Sequence, residues 1–429
     1  MTYVTTRLNA APDFRDLQGN AHAAERELSS PLRVALFSGN YNYVRDGANQ
    51  SLNRLVAYLE RHRIPVRVYS PTVAEPAFPP AGDLVSVPSI AIPRRREYRL
   101  GLGLPRQVVA DIERFQPTVF HVSAPDLIGN AAIRVAHSWR RPVVASYHTR
   151  FETYLKYYGL GFLEPMAVRH LRNFYRKCDQ VYAPSECMAT ILRNLSFNDD
   201  VRIWTRGVEL ARFHPDKRNA AWREQMGVRA DEIVIAFVGR LVLEKGLDLL
   251  VDVMTRLSHA NVRCRALVVG DGPERQNLQA RLPNAVFTGH LSGDDLARAY
   301  ASADVFFNPS TTETFGNVTL EAMASGLATV CAFATGSRSL VVHGQTGLLA
   351  TPGSAEAFAG ALAQIAGNPL LRTSMGQAGR EASKRYDWDR TLGDLVGHYH
   401  GVLAHHSAPV TPAHVFQTNF KPALRLVQD

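Results

Sequence analysis

Two doubly wound α/β domains, each a parallel sheet covered by helices, are what this sequence predicts, and three observations carry the expectation. From residue 32 onward, short apolar runs of strand length alternate with amphipathic stretches of helix length. The alternation stops and restarts, because Gly207-Val208-Glu209 through Phe213-His214-Pro215 breaks both periodicities and reads as a linker. A chain of 429 residues also exceeds what one hydrophobic core ordinarily holds.

In the first half, residues 32–37, 66–69, 118–122 and 143–147 read as strands, with helices over 48–63 and 104–115 between them. The second half repeats the pattern, with strands at 233–238, 266–269, 285–288, 305–307 and 329–332. Helices at 247–257, 294–301 and 355–366 separate these. An amphipathic helix over 388–403 follows Tyr386, and the Pro-containing tail from His405 is expected to be poorly ordered. The division expected is an extension over 1–31, domains over 32–208 and 209–387, a helix over 388–404 and a tail over 405–429. Ligands of open parallel sheets lie outside the carboxyl ends of the strands, so two facing sheets would enclose one cleft.

Composition narrows the partners. Hydrophobic residues make up 46% of the chain, enough for ordinary globular cores. Cys178, Cys187, Cys264 and Cys331 lack paired spacing, so neither a disulfide framework nor a zinc site is indicated, and a reducing cytoplasm fits. The first 30 residues do not resemble a secretory signal, and no run of eighteen apolar residues occurs, so the protein is expected to be soluble or peripheral. The net charge of +9 suits nucleic acid, an anionic membrane or anionic substrates. Nucleic acid is disfavoured, because no aromatic stacking motif or recognition helix accompanies the charge. Arg94-Arg95-Arg96 with Arg99, and Arg169, Arg172, Arg176 and Lys177, concentrate it in the first half, where a solvated basic face is the alternative.

The chemistry is concentrated in loops that follow strands. Residues 308–326 place Glu313 in a loop, Phe315-Gly316-Asn317 in a turn, and Glu321 on a short helix stopped by Gly326. Helix-start amides attract anions, so the segment suits a sugar bound through phosphate, with Glu313 beside the anion and Glu321 placed for a ribose diol. Solvent-facing glutamates flanking a turn are the alternative for the pair in isolation. Gly239-Arg240 and Lys245-Gly246 follow strand 233–238, and their two cations could hold a diphosphate without a metal. Gly270-Asp271-Gly272-Pro273 is a second glycine turn, but Arg275 stands where a dinucleotide fingerprint needs glycine, which argues against a nicotinamide dehydrogenase. No Walker loop is present. Gly39 and Gly47 follow or open first-half elements, and Gly47 serves equally as a plain turn glycine. His148 and His121 each end a strand, where a hydrogen-bonded structural role is the default. Asp387-Trp388-Asp389 reads as a helix cap rather than a metal site.

Jointly, Gly239-Arg240, Lys245-Gly246, Gly270-Asp271-Gly272-Pro273, Glu313 with Phe315-Gly316, and Leu320-Glu321-Ala322 resemble the retaining nucleotide-sugar glycosyltransferases of family 4. The resemblance runs from about residue 32 to 403 and implies the GT-B fold. That fold is two facing Rossmann-like doubly wound parallel-sheet domains with a C-terminal helix returning toward the first. Tyr147-His148-Thr149, Trp204-Thr205-Arg206-Gly207-Val208 and Phe287-Thr288-Gly289 are similar to the branch that glycosylates lipids, which includes sulfolipid synthases and bacterial glycolipid α-mannosyltransferases. The resemblance implies that Arg240 and Lys245 bind the donor diphosphate, Glu321 the ribose, and Glu313 and His148 the transferred sugar. Amides of Phe315, Gly316 and Asn317 would hold phosphate or sugar, Gly289-His290-Leu291 would approach the base, and Gly39 and Gly47 would border the acceptor side. No metal or other cofactor is implied. Two departures stand out: Thr335-Gly336-Ser337-Arg338 lacks the Gly-Gly-acidic pattern of many relatives, and Asp46-Gly47 replaces their Gly-Gly.

The implied reaction moves a hexose from a GDP- or UDP-sugar to an acceptor hydroxyl with retention, at the inner face of the cytoplasmic membrane. No first-half carboxylate is obvious as a covalent nucleophile, so front-face departure and attack are expected. Residues 154–163 interleave aromatics and aliphatics with Lys156, and the Arg169 cluster follows, a composition suited to an anionic lipid interface and hence a lipid acceptor. A soluble or polysaccharide-precursor acceptor, or a non-catalytic nucleotide-sugar-binding protein, are the alternatives.

Overall fold

A computed structural model describes residues 31–44, 46–92, 95–150, 159 and 161–407 of the chain. In chain order the strands are β1 (Val34–Phe37), β2 (Val66–Ser70), β3 (Asp83–Ser86), β4 (Ser89–Ile92), β5 (Arg95–Gly101), β6 (Val119–Val122), β7 (Val143–Ser146), β8 (Gln180–Ala183) and β9 (Val201–Ile203). They continue as β10 (Ile233–Val238), β11 (Cys264–Val269), β12 (Val286–Gly289), β13 (Val305–Asn308), β14 (Ala328–Ala332) and β15 (Gly347–Ala350).

Seven of them form one sheet in the order β3-β2-β1-β6-β7-β8-β9, and six form a second in the order β12-β11-β10-β13-β14-β15. The neighbouring strands within both sheets pair in parallel. Fully buried runs such as Val34–Phe37 and Val305–Asn308 explain why these strands read as unbroken apolar stretches, since helices cover both faces of such sheets. Strand order reverses beside β1 in the first sheet and beside β10 in the second, which is where doubly wound sheets open a crevice. The β4–β5 pair is an antiparallel hairpin outside both sheets, and it is not legible in the sequence because its strands mix apolar residues with arginines.

The linker and the C-terminal helix cross where the halves join. Val208 donates its backbone N–H to Tyr386 O at 2.8 Å, and a Cβ on Gly207 would lie 2.5 Å from Trp388 Cδ2 and 2.8 Å from Trp388 Cα. Asp387 Oδ1 accepts from the N–H groups of Asp389 and Arg390 at 2.9 and 3.2 Å, so it caps the helix Trp388–Ser407. That helix presents Leu392, Leu395, Tyr399 and Val402 to the core formed by Leu36, Leu55 and Val68 of the first domain. Each such side chain removed from water contributes roughly 1.5–3 kcal/mol, which ties the end of the chain to its beginning. The helix runs to Ser407, three residues past its expected end at 404. The rest of the tail, residues 1–30, Arg94 and residues 154–158 and 160 of the aromatic stretch lie outside the described residues. Among the described residues, no helix is long and apolar enough to cross a membrane.

Candidate active site

The carboxyl ends of β10 and β13 supply the second-domain wall of the cleft. Close backbone approach dictates the glycines there. A Cβ on Gly270 would lie 1.9 Å from Gly239 O, and one on Gly272 would lie 2.3 Å from Leu241 O. Leu241 and Asp271 are further joined by an N–H to carbonyl bond of 2.9 Å, and Gly270 N–H bonds Gly289 O at 2.8 Å, so the loops after β10, β11 and β12 form one platform. Gly289 carries a left-handed φ of 74°, and the following His290 is exposed at the rim.

Lys245 closes the loop after β10 and reaches across to the loop after β13. Its Nζ lies 2.5 Å from Glu313 Oε1, and both side chains are largely covered. Arg240, in contrast, is exposed in the cleft, and the Asp46 carboxyl across the gap feels its charge. The helices Leu247–His259 and Asn317–Ala324 both begin after a glycine in the left-handed region, Gly246 at φ 74° and Gly316 at φ 102°, and neither has a side-chain cap. The amides that open each helix thus have no side-chain partner, as an anion-binding wall requires, although Thr319 N–H already bonds Gly316 O at 3.0 Å. Phe315 is 3% exposed and packs edge-on against Tyr386 at 5.6 Å, which fixes the turn from below. Gly336 has a steric role. Its N–H bonds Glu313 O at 2.9 Å, and a Cβ would lie 2.8 Å from Glu313 O and Phe315 O.

Glu321 sits one to two turns into the helix that Gly316 starts. Desolvation pushes its carboxyl up to about 7, partly offset by a 3.1 Å hydrogen bond from Tyr300 Oη and by the charge of Arg54. Arg54 belongs to the first-domain helix Gly47–Arg61, pairs with Glu209 of the linker and lies over the Trp388 ring. Nothing in the sequence marks Tyr300 or Arg54 for this neighbourhood.

The first-domain wall begins at Gly39, after β1. A Cβ there would lie 2.1 Å from Asp126 Oδ2, and Asp126 caps the helix Leu127–Ser138, with burial pushing its carboxyl up to about 6. Gly47 opens the helix Gly47–Arg61, and a Cβ on it would lie 2.8 Å from Asn317 Nδ2, so the helix starts at Gly47 and Asn317 meet across the cleft. Asp46 accepts from Asn49 N–H at 2.8 Å and caps that helix.

The loop after β7 carries His148. Its carbonyl accepts from Thr314 Oγ1 at 2.9 Å, while Ser185 Oγ donates to Thr314 O at 3.0 Å, so Glu313 and Phe315 flank a residue held by the opposite domain. His121, by comparison, is fully buried, with Nδ1 2.6 Å from Tyr399 Oη and Nε2 hydrogen-bonded to Ser146 Oγ. Burial pushes it down to about 3, and it serves the core. His121→Ala is expected to cost about 2 kcal/mol by leaving two buried hydroxyls without their partner, read as a lower urea midpoint.

The structure therefore brings Gly39, Gly47, His148, Arg240, Lys245, Glu313, Phe315, Gly316, Asn317 and Glu321 to one interdomain cleft, with Gly289, His290 and Leu291 at the end of β12. A profile described as Glycosyltransferase Family 4 matches residues 45–212, and one described as Glycosyl transferases group 1 matches residues 218–382. The GDP-mannose-dependent alpha-mannosyltransferase of Mycolicibacterium smegmatis is 32% identical over 386 residues, covering 88% of this chain and 99% of the relative. The chain belongs to glycosyltransferase family 4. This glycosyltransferase is also 32% identical over 371 residues to sulfoquinovosyl transferase SQD2 of Arabidopsis thaliana, covering 84% of this chain and 72% of the relative. Its two facing sheets match sucrose-phosphate synthase from Thermosynechococcus elongatus at a TM-score of 0.72 and 22% identity, over 87% of this chain and 100% of that one. The family 4 glycosyltransferase thus has the GT-B fold.

Proposed function

We propose that this glycosyltransferase moves a hexose from GDP-mannose or a UDP-sugar to a hydroxyl of a membrane lipid, with retention of configuration. The convergence of the Lys245–Glu313 pair, two uncapped helix starts and Glu321 at the second sheet's switch point, opposite His148, carries this reading. Arg240 and Lys245 neutralise the diphosphate as the C1–phosphate bond breaks, without a metal. The acceptor oxygen bonds C1 from the same face, and its proton passes to the departing phosphate oxygen. Glu313 orients the sugar, Glu321 accepts from the ribose diol, and the loop at Gly289-His290-Leu291 borders the base.

Two observations support a lipid acceptor at the inner face of the cytoplasmic membrane. Both relatives named above match the glycolipid-forming resemblance read from the sequence. Phe162, on the turn Gly161–Leu163, and Met166 are 76% and 64% exposed, with Arg169, Arg176 and Lys177 exposed on or just beyond the adjoining helix, Glu164–Tyr175. The test is incubation with a panel of nucleotide sugars and extracted membrane lipid, with products identified by mass spectrometry. A glycolipid is expected, and transfer only to soluble glycans overturns the acceptor assignment. A glycosylated side chain trapped on the protein would overturn front-face transfer.

The pH dependence follows from Glu321. Its carboxyl is raised by folding, so the ligand-free protein loses stability as pH climbs from the free carboxyl range through about 7. A ribose diol prefers the ionised carboxylate, so donor KM is expected to rise by up to roughly tenfold per pH unit below 7. Initial rates across pH 5.5–8.5 check this, and a flat profile in the unmutated enzyme would remove the ribose role.

A further inference from the structure

His148 is not a free-standing imidazole. Its Nδ1 lies 2.6 Å from Nη2 of Arg206, a residue 5% exposed whose Nη1 also donates to Trp204 O at 3.1 Å and whose guanidinium lies over the Trp204 ring at 4.8 Å. Guanidinium has only donors, so Nδ1 must accept and the ring proton must sit on Nε2. Nε2 is buried and has no hydrogen-bond partner among the described residues. A buried N–H of this kind calls for an acceptor, and the described residues supply none. The same loop's carbonyl is held by Thr314, next to Glu313, so the loop that carries the imidazole meets the segment read above as the sugar-side contact. No carboxylate pairs with Arg206 among the described residues, and its guanidinium, lowered by burial to about 10, remains charged at neutral pH. Burial and that charge together hold His148 well below the usual imidazole range, so it stays neutral.

We propose that Arg206 is a positioning residue that locks His148 as a neutral Nε2–H donor, so that the cleft selects a transferred sugar presenting a hydroxyl oxygen to that nitrogen. The proposal rests on the donor-sugar reading above for its second half only. The lock itself is a property of the ligand-free protein. A sugar with hydrogen in place of the matching hydroxyl leaves the buried donor unpartnered and is disfavoured.

Ring-nitrogen NMR of ¹⁵N-histidine-labelled protein tests the lock, with the His148 signals assigned by their loss in His148→Gln. The expected spectrum shows protonated Nε2 and bare Nδ1 from pH 6 to 8, kept in Arg206→Lys and lost in Arg206→Met. Protonated Nδ1 in the unmutated protein, or an unchanged spectrum in Arg206→Met, overturns it. The selection is tested with GDP-mannose, UDP-glucose and their monodeoxy analogues. In Arg206→Met the kcat/KM penalty for losing one particular hydroxyl is expected to shrink about tenfold, with the other penalties unchanged and Arg206→Lys restoring it. An unchanged penalty, or an equal loss for every analogue, overturns the selection. Failure of the unmutated chain to bind either donor refutes the donor reading, while the ring spectra still judge the lock alone.

Discussion

Lys245→Ala is expected to lower kcat by roughly 10²–10³ while leaving the donor KM within a few-fold, because the lost charge acts on the departing diphosphate more than on the bound one. The geometry adds a second expectation. Lys245 Nζ is 2.5 Å from Glu313 Oε1, so the two side chains act as a unit and their losses should not add. The double variant Lys245→Ala/Glu313→Ala is expected to fall little below the worse single variant. Single-turnover rates with bound donor, on variants whose melting temperature is unchanged, decide it. A kcat within threefold of the unmutated enzyme in Lys245→Ala would remove the leaving-group role.

The second large effect is structural. Gly207→Ala places a Cβ 2.5 Å from Trp388 Cδ2 and 2.8 Å from Trp388 Cα, and backbone atoms cannot step aside as a flexible side chain can. The strain falls where Val208 bonds Tyr386 O, at the crossing of the two chain segments between the domains. A cost of about 3 kcal/mol is expected, a melting temperature lower by roughly 6–12 °C. The control is Gly397→Ala on the same C-terminal helix, where a Cβ meets nothing within 4 Å. Equal melting temperatures for the two variants would show that the crossing tolerates a shift.

Much of this architecture is legible in the sequence, for identifiable reasons. The runs at 34–37 and 305–308 are buried on both faces, so they appear as unbroken apolar stretches. The helix Gly47–Arg61 announces itself through its Asp46 cap and periodic Leu52, Leu55, Val56 and Leu59. Strands β8 and β9 are less visible because Gln180 and Arg202 interrupt short segments, each paired with Asp200, which a linear reading does not reveal. Glu313, Glu321, Arg240 and Lys245 lie within recognisable strand-end motifs. Arg206 lies in a quoted motif too, but its partner His148 is 58 positions away and only folding joins them. Likewise, the segment at Thr335-Gly336-Ser337-Arg338 reads only as a departure from a family pattern until the contact of Gly336 with the Glu313 backbone shows a steric role.

Thr314 stands between Glu313 and Phe315, and its hydroxyl and carbonyl are both bonded to the opposite domain, to His148 O and Ser185 Oγ. Separating the domains must break both bonds, so the segment carrying Glu313 is tied to how far the entrance is open. Widening the entrance and releasing the Glu313 loop are thereby a single event, coupled through one threonine.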